Sequence, residues 1–190
     1  MGHLKYLLMT VALCGHLLAA NVAVAAAPPT RSVSAIALPD VTLVTQDNQR
    51  VKFQSLFDPS KPALVQFVFT TCGGICPVLA TSFSHLQKAL GKAGEATPFF
   101  SISLDPDNDT PKLGRAWLKR FGARPNWQFL TGTLLDVQDV TRAFSAYTED
   151  KMTHAPLTFL WSPKEKTWVR FNGFISDADL LAAYKKAVAP

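Results

Sequence analysis

The hydrophobic and polar positions along the chain form two kinds of segment after an apolar N-terminal run. One kind is short and rich in β-branched and aromatic residues, which predicts strands, and the other repeats apolar residues at helical spacing. Two pairs, Thr133 with Asp136 and Ser176 with Asp179, are typical of helix starts. The predicted strands are residues 41–45, 50–53, 63–69, 99–104, 129–130, 157–161 and 167–171, and the predicted helices are residues 77–90, 110–122, 133–144 and 180–188.

The order of these elements predicts one α/β domain. Strands that alternate with helices, followed by a hairpin and a last helix, are typical of a central mixed sheet flanked by helices on both faces. The strands at 41–45 and 50–53 form an N-terminal strand pair. Residues 38–190 contain no repeat, linker or low-complexity stretch, so we expect a single domain over this range.

Residues 1–25 have the pattern of a targeting segment. Lys5 precedes an apolar run over residues 7–20, and small residues of the kind that signal peptidase accepts follow soon after it. We therefore predict a signal peptide over 1–25, a flexible tail over 26–37, and export to the periplasm. The alternative is an uncleaved anchor in the inner membrane, although polar residues interrupt the longer apolar run.

The charge pattern argues against one class of partner. The chain of 190 residues has a formal net charge of +5, and its basic residues are scattered or in short clusters. Nucleic-acid-binding surfaces interleave basic with aromatic residues, and no such stretch occurs here. We therefore expect no nucleic-acid partner.

The cysteines carry the clearest chemical signal. The predicted exported chain contains two, Cys72 and Cys76, and a bridge across so short a loop would stabilise the fold little. They follow the buried strand at 63–69 and begin a helix, which is the layout of the thioredoxin active site. A helix N-terminus favours the thiolate, which is both a nucleophile and a metal ligand.

The spacing of the two cysteines leaves redox chemistry and metal binding open. Thioredoxins have two residues between their cysteines, whereas Gly73, Gly74 and Ile75 separate this pair. The wider gap permits a disulfide, and it also lets the two sulfur atoms spread around a metal ion. Two thiolates with one imidazole form a soft ligand set that suits copper.

Three motifs together resemble the Sco/SenC family of copper proteins, which assemble cytochrome c oxidase. The sequence F-T-T-C-G-G-I-C-P, which contains Cys72 and Cys76, resembles that family's C-x-x-x-C-P motif. Residues 105–110 resemble its D-P-x-x-D-T loop, and His154 stands at the position of its third copper ligand. The similarity extends from about residue 38 to residue 188.

The resemblance implies a fold and a function. It implies a thioredoxin-like copper-binding domain in which Cys72, Cys76 and His154 bind Cu(I) or Cu(II). The partner would be subunit II of cytochrome c oxidase or another exported copper protein, which receives copper or has its cysteines reduced. The chain departs from the family's pattern at Thr153, where an Asp is common, and at Gly73 and Gly74, where bulkier residues are usual.

Two enzyme functions are alternatives to the metallochaperone function. A thiol–disulfide oxidoreductase needs only Cys72 and Cys76 as a redox dithiol, and His154 would then be dispensable. Peroxide reduction in the manner of peroxiredoxins needs a Thr three residues before the cysteine, where this chain has Phe69. The sequence therefore leaves enzyme activity open and favours the metallochaperone.

Several nearby residues are assigned no ligand role. His85 and Met152 are expected to be surface or packing residues, outside the metal site. Asp105 and Asp109 either form a turn and helix cap or support the site. The thioredoxin layout also predicts a cis peptide bond before Pro156, facing the dithiol.

Overall fold

An eight-stranded mixed sheet organises residues 29–189, the part of the chain that the computed structural model describes. The order of the strands across the sheet is β1-β8-β7-β4-β5-β6-β2-β3. The strands are β1 (Thr30–Ser34), β2 (Thr42–Thr45), β3 (Arg50–Lys52), β4 (Ala63–Val68), β5 (Phe99–Ser103), β6 (Trp127–Thr131), β7 (Leu157–Ser162) and β8 (Thr167–Asn172).

The centre of the sheet is parallel and its flanks are antiparallel. Strands β4, β5 and β6 pair in parallel, and every residue of β4 is buried. Burial on both faces explains why the sequence of β4 is a continuous apolar run rather than an alternating one. Strand β7 pairs with β4 in the antiparallel direction, which brings the start of β7 beside the end of β4.

Within the described residues, five helices cover the sheet and two short 3-10 turns interrupt the loops. Three of the helices begin at a threonine or serine whose hydroxyl accepts a hydrogen bond from the backbone three residues later, which satisfies one otherwise unpaired N–H group. The helices are α1 (Ile75–Leu90), α2 (Lys92–Ala96), α3 (Pro111–Arg120), α4 (Leu134–Ala143) and α5 (Asp177–Val188), and the 3-10 turns are Phe53–Leu56 and Lys151–Thr153.

The sheet separates two hydrophobic clusters. The first contains buried residues of α1, α3 and α5 with Phe99 and Trp127 of the sheet, and it includes Cys72 and Cys76. The second packs α4 against the opposite face around Phe144. A mixed sheet with helices on both faces is the fold predicted from the sequence, and the β2–β3 pair is the predicted N-terminal strand pair.

The structure corrects two sequence-based expectations. Part of the segment 26–37, expected to be a flexible tail, forms the edge strand β1, which pairs with β8. All five residues of β1 are exposed, so backbone hydrogen bonds hold the strand and no buried face appears in the sequence. The expected cis bond before Pro156 is also wrong, because no cis peptide bond occurs within residues 29–189. In trans, the Pro156 carbonyl accepts a hydrogen bond from the Gly173 N–H at 2.9 Å, next to the β7–β8 pair.

The predicted signal peptide or anchor at 1–25 lies outside the described residues. Within residues 29–189, no helix combines the length and apolar character needed to cross a membrane.

Candidate metal centre

The dithiol lies where β4 gives way to α1. The chain turns after Phe69, whose carbonyl accepts a hydrogen bond from the Cys72 N–H at 3.1 Å. Gly74 precedes the first residue of α1, and a Cβ added at Gly73 or Gly74 would meet no atom within 4 Å, so the loop between the cysteines is uncovered. Cys76 is fully buried on α1, whereas Cys72 keeps 8% of its surface exposed. Cys72 is therefore the outer thiol and Cys76 the inner one.

The imidazole of His154 lies beside the dithiol and comes from the loop that precedes β7. His154 follows the 3-10 turn Lys151–Thr153 and precedes β7, whose antiparallel pairing with β4 brings it to the dithiol. Its Nε2 atom lies 3.4 Å from the Cys76 Sγ atom. The ligand atoms of Cys72, Cys76 and His154 all lie within 4.8 Å of one another.

Backbone and packing contacts fix the orientation of the imidazole. The His154 Nδ1 atom is 3.2 Å from the Ala155 carbonyl oxygen, which can only accept a hydrogen bond, so Nδ1 carries the proton. The lone pair of Nε2 then faces the thiols. The ring of Phe69 packs against the imidazole edge-to-face, with 5.7 Å between ring centroids. Burial lowers the pKa of His154, although the hydrogen bond to the Ala155 carbonyl opposes this effect. The lowered pKa favours the neutral imidazole, which is the form that binds metals.

The two thiols differ in acidity. Burial raises the pKa of Cys72, but hydrogen bonds from the Cys76 thiol and from backbone N–H groups at the start of α1 outweigh it and lower the pKa below its ordinary value. Burial strongly raises the pKa of Cys76, and the adjoining Cys72 raises it further. Both cysteines are free thiols, and the opposite directions of their pKa values mean that the outer thiol ionises at a lower pH than the inner one.

The donor set fits a soft metal ion. Sulfur and nitrogen donors bind a first-row ion at about 2.0–2.3 Å, so donors around one ion lie roughly 3.5–4 Å apart. Atoms already within 4.8 Å of one another need only a small closure to reach that spacing. Two sulfurs and one imidazole form a soft donor set that suits copper, and a structural zinc site would need a fourth ligand.

Comparison with known proteins decides the family. The sequence profile of the SCO1/SenC family matches residues 32–189. The chain belongs to the SCO1/SenC family. The SCO1 protein homolog of Bacillus subtilis is 32% identical over 144 residues, which span 70% of this chain and 72% of that relative. The predicted family resemblance is therefore confirmed.

Solved structures of SCO1/SenC proteins share the fold. Bradyrhizobium japonicum ScoI, solved with copper bound, matches with a TM-score of 0.66 and 26% identity over 80% of this chain and 99% of that one. BsSco, described with a disulfide switch as a member of the Sco family of cytochrome c oxidase assembly proteins, matches with a TM-score of 0.68 and 26% identity. That match covers 83% of this chain and 96% of BsSco. The thioredoxin-like fold predicted from the sequence is confirmed.

Thr153, which directly precedes His154, makes its side-chain hydrogen bonds within the turn and not to the imidazole. Its hydroxyl donates a hydrogen bond to the Asp150 carbonyl at 2.8 Å and lies 3.0 Å from the Thr148 hydroxyl. Thr153 therefore stabilises the turn, and the contacts that orient His154 come from Ala155 and Phe69.

The D-P-x-x-D-T loop of this SCO1/SenC chain supplies two buried carboxylates next to the site. Asp109 accepts hydrogen bonds from the Thr70 N–H at 3.0 Å, the Thr70 hydroxyl at 2.6 Å and the Ser103 hydroxyl at 2.7 Å. Burial raises the pKa of Asp109, although these hydrogen bonds oppose the rise. Asp105 forms an ion pair with Lys151 at 2.6 Å. The contacts of Thr70, Ser103 and Lys151 with this loop could not be predicted from the sequence, since nothing in the local pattern pairs them with it.

The residues that the sequence analysis left without a ligand role stay outside the cluster. His85 pairs with Asp177 through its Nδ1 atom at 2.5 Å, and both side chains are about half exposed. Met152 is 70% exposed on the turn before His154. Within residues 29–189, the only group of three His, Cys or acidic side chains close enough to share a metal ion is Cys72, Cys76 and His154.

The asymmetry of the thiols predicts selective alkylation. With limiting iodoacetamide at neutral pH, the reduced, metal-free protein is expected to be labelled on Cys72, because its lowered pKa gives more thiolate and it is the outer thiol. The labelling rate should level off at a lower pH than that of free cysteine. Peptide mass spectrometry after labelling measures the distribution. Equal labelling of Cys76, or labelling of Cys76 first, would contradict the assignment of inner and outer thiols.

Proposed function

We propose that this chain is an exported, periplasmic copper metallochaperone, with Cys72, Cys76 and His154 as the ligands of its copper cargo. It delivers the ion to the binuclear copper site of cytochrome c oxidase subunit II, or it prepares the dithiol of that site. The observation that carries the proposal is the convergence of two thiols and one imidazole, whose ligand atoms all lie within 4.8 Å of one another.

The relatives support this choice of metal and client. Bradyrhizobium japonicum ScoI binds copper in its solved structure. BsSco is described as a member of a family of cytochrome c oxidase assembly proteins. The donor set of this chain has the soft character that copper prefers, so its chemistry agrees with that of its relatives.

The arrangement of the ligands suits release of a cargo ion. Cys72 is the outer ligand, beside a loop with open space around Gly73 and Gly74. An incoming thiolate of an acceptor protein would therefore replace Cys72 first. Cys76 and His154 lie behind it and would hold the ion until the exchange is complete.

The second candidate function is a thiol–disulfide oxidoreductase, and the acidity difference between the thiols favours it. The Cys72 thiolate attacks a partner disulfide, forms a mixed disulfide and releases one partner thiolate. Cys76, after losing its proton, attacks the Cys72 sulfur, which releases the second partner thiol and leaves a Cys72–Cys76 disulfide. The partner is reduced and this chain is oxidised by two electrons. That disulfide cannot hold Cu(I) as a dithiolate, so oxidation would prevent copper loading.

Anaerobic Cu(I) titration of the reduced protein, beside its His154→Ala variant, tests the proposal. We expect one ion to bind per chain. The variant should bind more weakly by at least about 100-fold, because outer-shell changes alone cost about 10–100-fold in metal affinity. Competition with a colorimetric Cu(I) chelator measures both affinities.

The surface histidine His85 provides the matched control, since His85→Ala should leave Cu(I) affinity unchanged. Disulfide exchange should persist in His154→Ala, because that chemistry needs only the two thiols. Absence of tight binding, or equal affinity in the His154→Ala variant, would reject the three-ligand site and leave the oxidoreductase as the function.

A further inference from the structure

We propose that the 105–109 loop positions the two halves of the metal site relative to each other. Asp109 holds the dithiol loop through Thr70, and Asp105 holds the turn that carries His154 through Lys151. The inference rests on the proposed function, because the site it positions is the copper site. None of these four residues is a ligand; they are positioning residues, and we call them the acidic clamp.

The dithiol half of the clamp is a buried carboxylate with three donors. Asp109 is 1% exposed, and one of its oxygens accepts both the backbone N–H and the hydroxyl of Thr70. Thr70 stands two residues before Cys72, where β4 has ended and α1 has not begun. No helix or strand fixes the backbone there, so the carboxylate takes the place of regular secondary structure. Removing it would leave the Thr70 N–H without its partner.

The histidine half of the clamp is the ion pair between Asp105 and Lys151. The Lys151 ammonium also lies 5.7 Å from the centre of the Phe69 ring, and that ring packs against His154. Asp150 and Thr153 hold the start of the turn through short hydrogen bonds, but at its end the bond from the His154 N–H to the Lys151 carbonyl is long at 3.4 Å. A cavity of about 420 Å³ is lined by both Asp105 and Lys151, so the ion pair lies at its wall.

Ser103 joins the two halves into one unit. Its hydroxyl donates to Asp109 at 2.7 Å and accepts from the Asp105 N–H at 2.9 Å. The Asp109 N–H donates to the Asp105 carbonyl at 2.8 Å. Ser103 is the last residue of β5, which pairs in parallel with β4, the strand that leads to the dithiol. These bonds fix the distance between the two carboxylates. Through Thr70 and Lys151 they also fix the distance between the thiols and the imidazole.

The histidine half is tested with Lys151→Met, which removes the charge and keeps the length of the side chain. Its Cu(I) dissociation constant is expected to rise about 10-fold, at the lower end of the cost of an outer-shell change. In the His154→Ala variant, Lys151→Met should not weaken Cu(I) binding further, because Lys151 acts through His154. Lys52→Met is the matched control, since it breaks the exposed Lys52–Asp40 pair at 3.0 Å, which lies outside the clamp.

The dithiol half is tested with Asp109→Ala and its conservative counterpart Asp109→Asn. The alanine variant should change the rate of Cys72 alkylation in the metal-free protein. The asparagine variant should largely restore that rate, because its amide oxygen still accepts from Thr70 and its amide N–H can donate to Ser103. Lys151→Met should leave the rate unchanged.

Hydrogen exchange of the metal-free proteins decides the proposal whether or not copper binds. Faster exchange is expected around His154 in Lys151→Met and around Thr70 in Asp109→Ala, but in neither region in Lys52→Met. Hydrogen exchange like that of the wild type in both variants would overturn the clamp. The clamp would also be overturned if Lys151→Met weakened Cu(I) binding equally in the wild type and in the His154→Ala variant. Failure of the wild-type protein to bind Cu(I) would instead reject the proposed function, while the exchange data would still test the clamp.

Discussion

Replacing Cys76 with serine is expected to abolish both tight Cu(I) binding and dithiol exchange. The Cys76 sulfur is fully buried and 3.4 Å from the His154 Nε2 atom, so it is the central member of the cluster. A serine hydroxyl is a hard, neutral donor at working pH, and it cannot form a disulfide. Chelator competition measures the copper affinity, and reduction of a small disulfide substrate measures the exchange.

The fold should survive this change, because serine nearly matches cysteine in size and its hydroxyl can donate to His154. Thermal unfolding followed by circular dichroism checks that the variant is folded. Ser84→Ala, at a buried position of the same helix, is the control and should leave both activities intact. If Cys76→Ser kept copper affinity within about 10-fold of the wild type, the loss would be no larger than an outer-shell change, and the inner thiol would not be a ligand.

Sequence reasoning works best for the dithiol half of the site because that half is local. Strand, cysteines and helix follow one another directly, so the apolar run of β4 and the helical spacing of α1 place the thiols at a helix start. The predicted boundaries differ from the observed ones by one or two residues at most of these ends. The open space around Gly73 and Gly74, in contrast, is known only from the structure.

The histidine half could not be obtained from local patterns. His154 lies 78 residues beyond Cys76, and the two meet only because β7 pairs with β4 in the antiparallel direction. Nothing in the sequence around His154 specifies that pairing, so its assignment depended on the family resemblance. The ion pair of Asp105 with Lys151 could not be predicted either, because the two residues are 46 positions apart and no local pattern connects them.

Edge strand β1 shows a second limit of sequence patterns. Strands are recognised by a buried face, but β1 buries none of its five side chains. Its pairing with β8 uses backbone groups that every residue except proline supplies. The segment 26–37 was therefore predicted as a flexible tail, although part of it completes the sheet.

Two core substitutions are expected to destabilise the fold equally and to affect the metal site unequally. Phe83 lies on α1 and meets Phe99 and Trp127 at ring distances of 5.1 and 5.5 Å, in the same cluster as both cysteines. Phe144 lies on the opposite face of the sheet and meets Phe159 at 5.0 Å. Both side chains are at most 1% exposed, so replacement by alanine should lower the free energy of unfolding by about 3–5 kcal/mol in each case.

The difference appears in the copper affinity of the folded protein. A cavity at Phe83 lies under the helix that carries Cys76, and partial collapse of that helix would move the inner thiol relative to His154. A cavity at Phe144 is separated from the site by the sheet, so its collapse should leave Cys72, Cys76 and His154 in place. Urea unfolding measures the stabilities, and Cu(I) competition below the unfolding transition measures the affinities. Weakened binding in Phe83→Ala alone is the expected result; equal weakening in both variants would mean that the sheet transmits the disturbance and that the two layers are not independent.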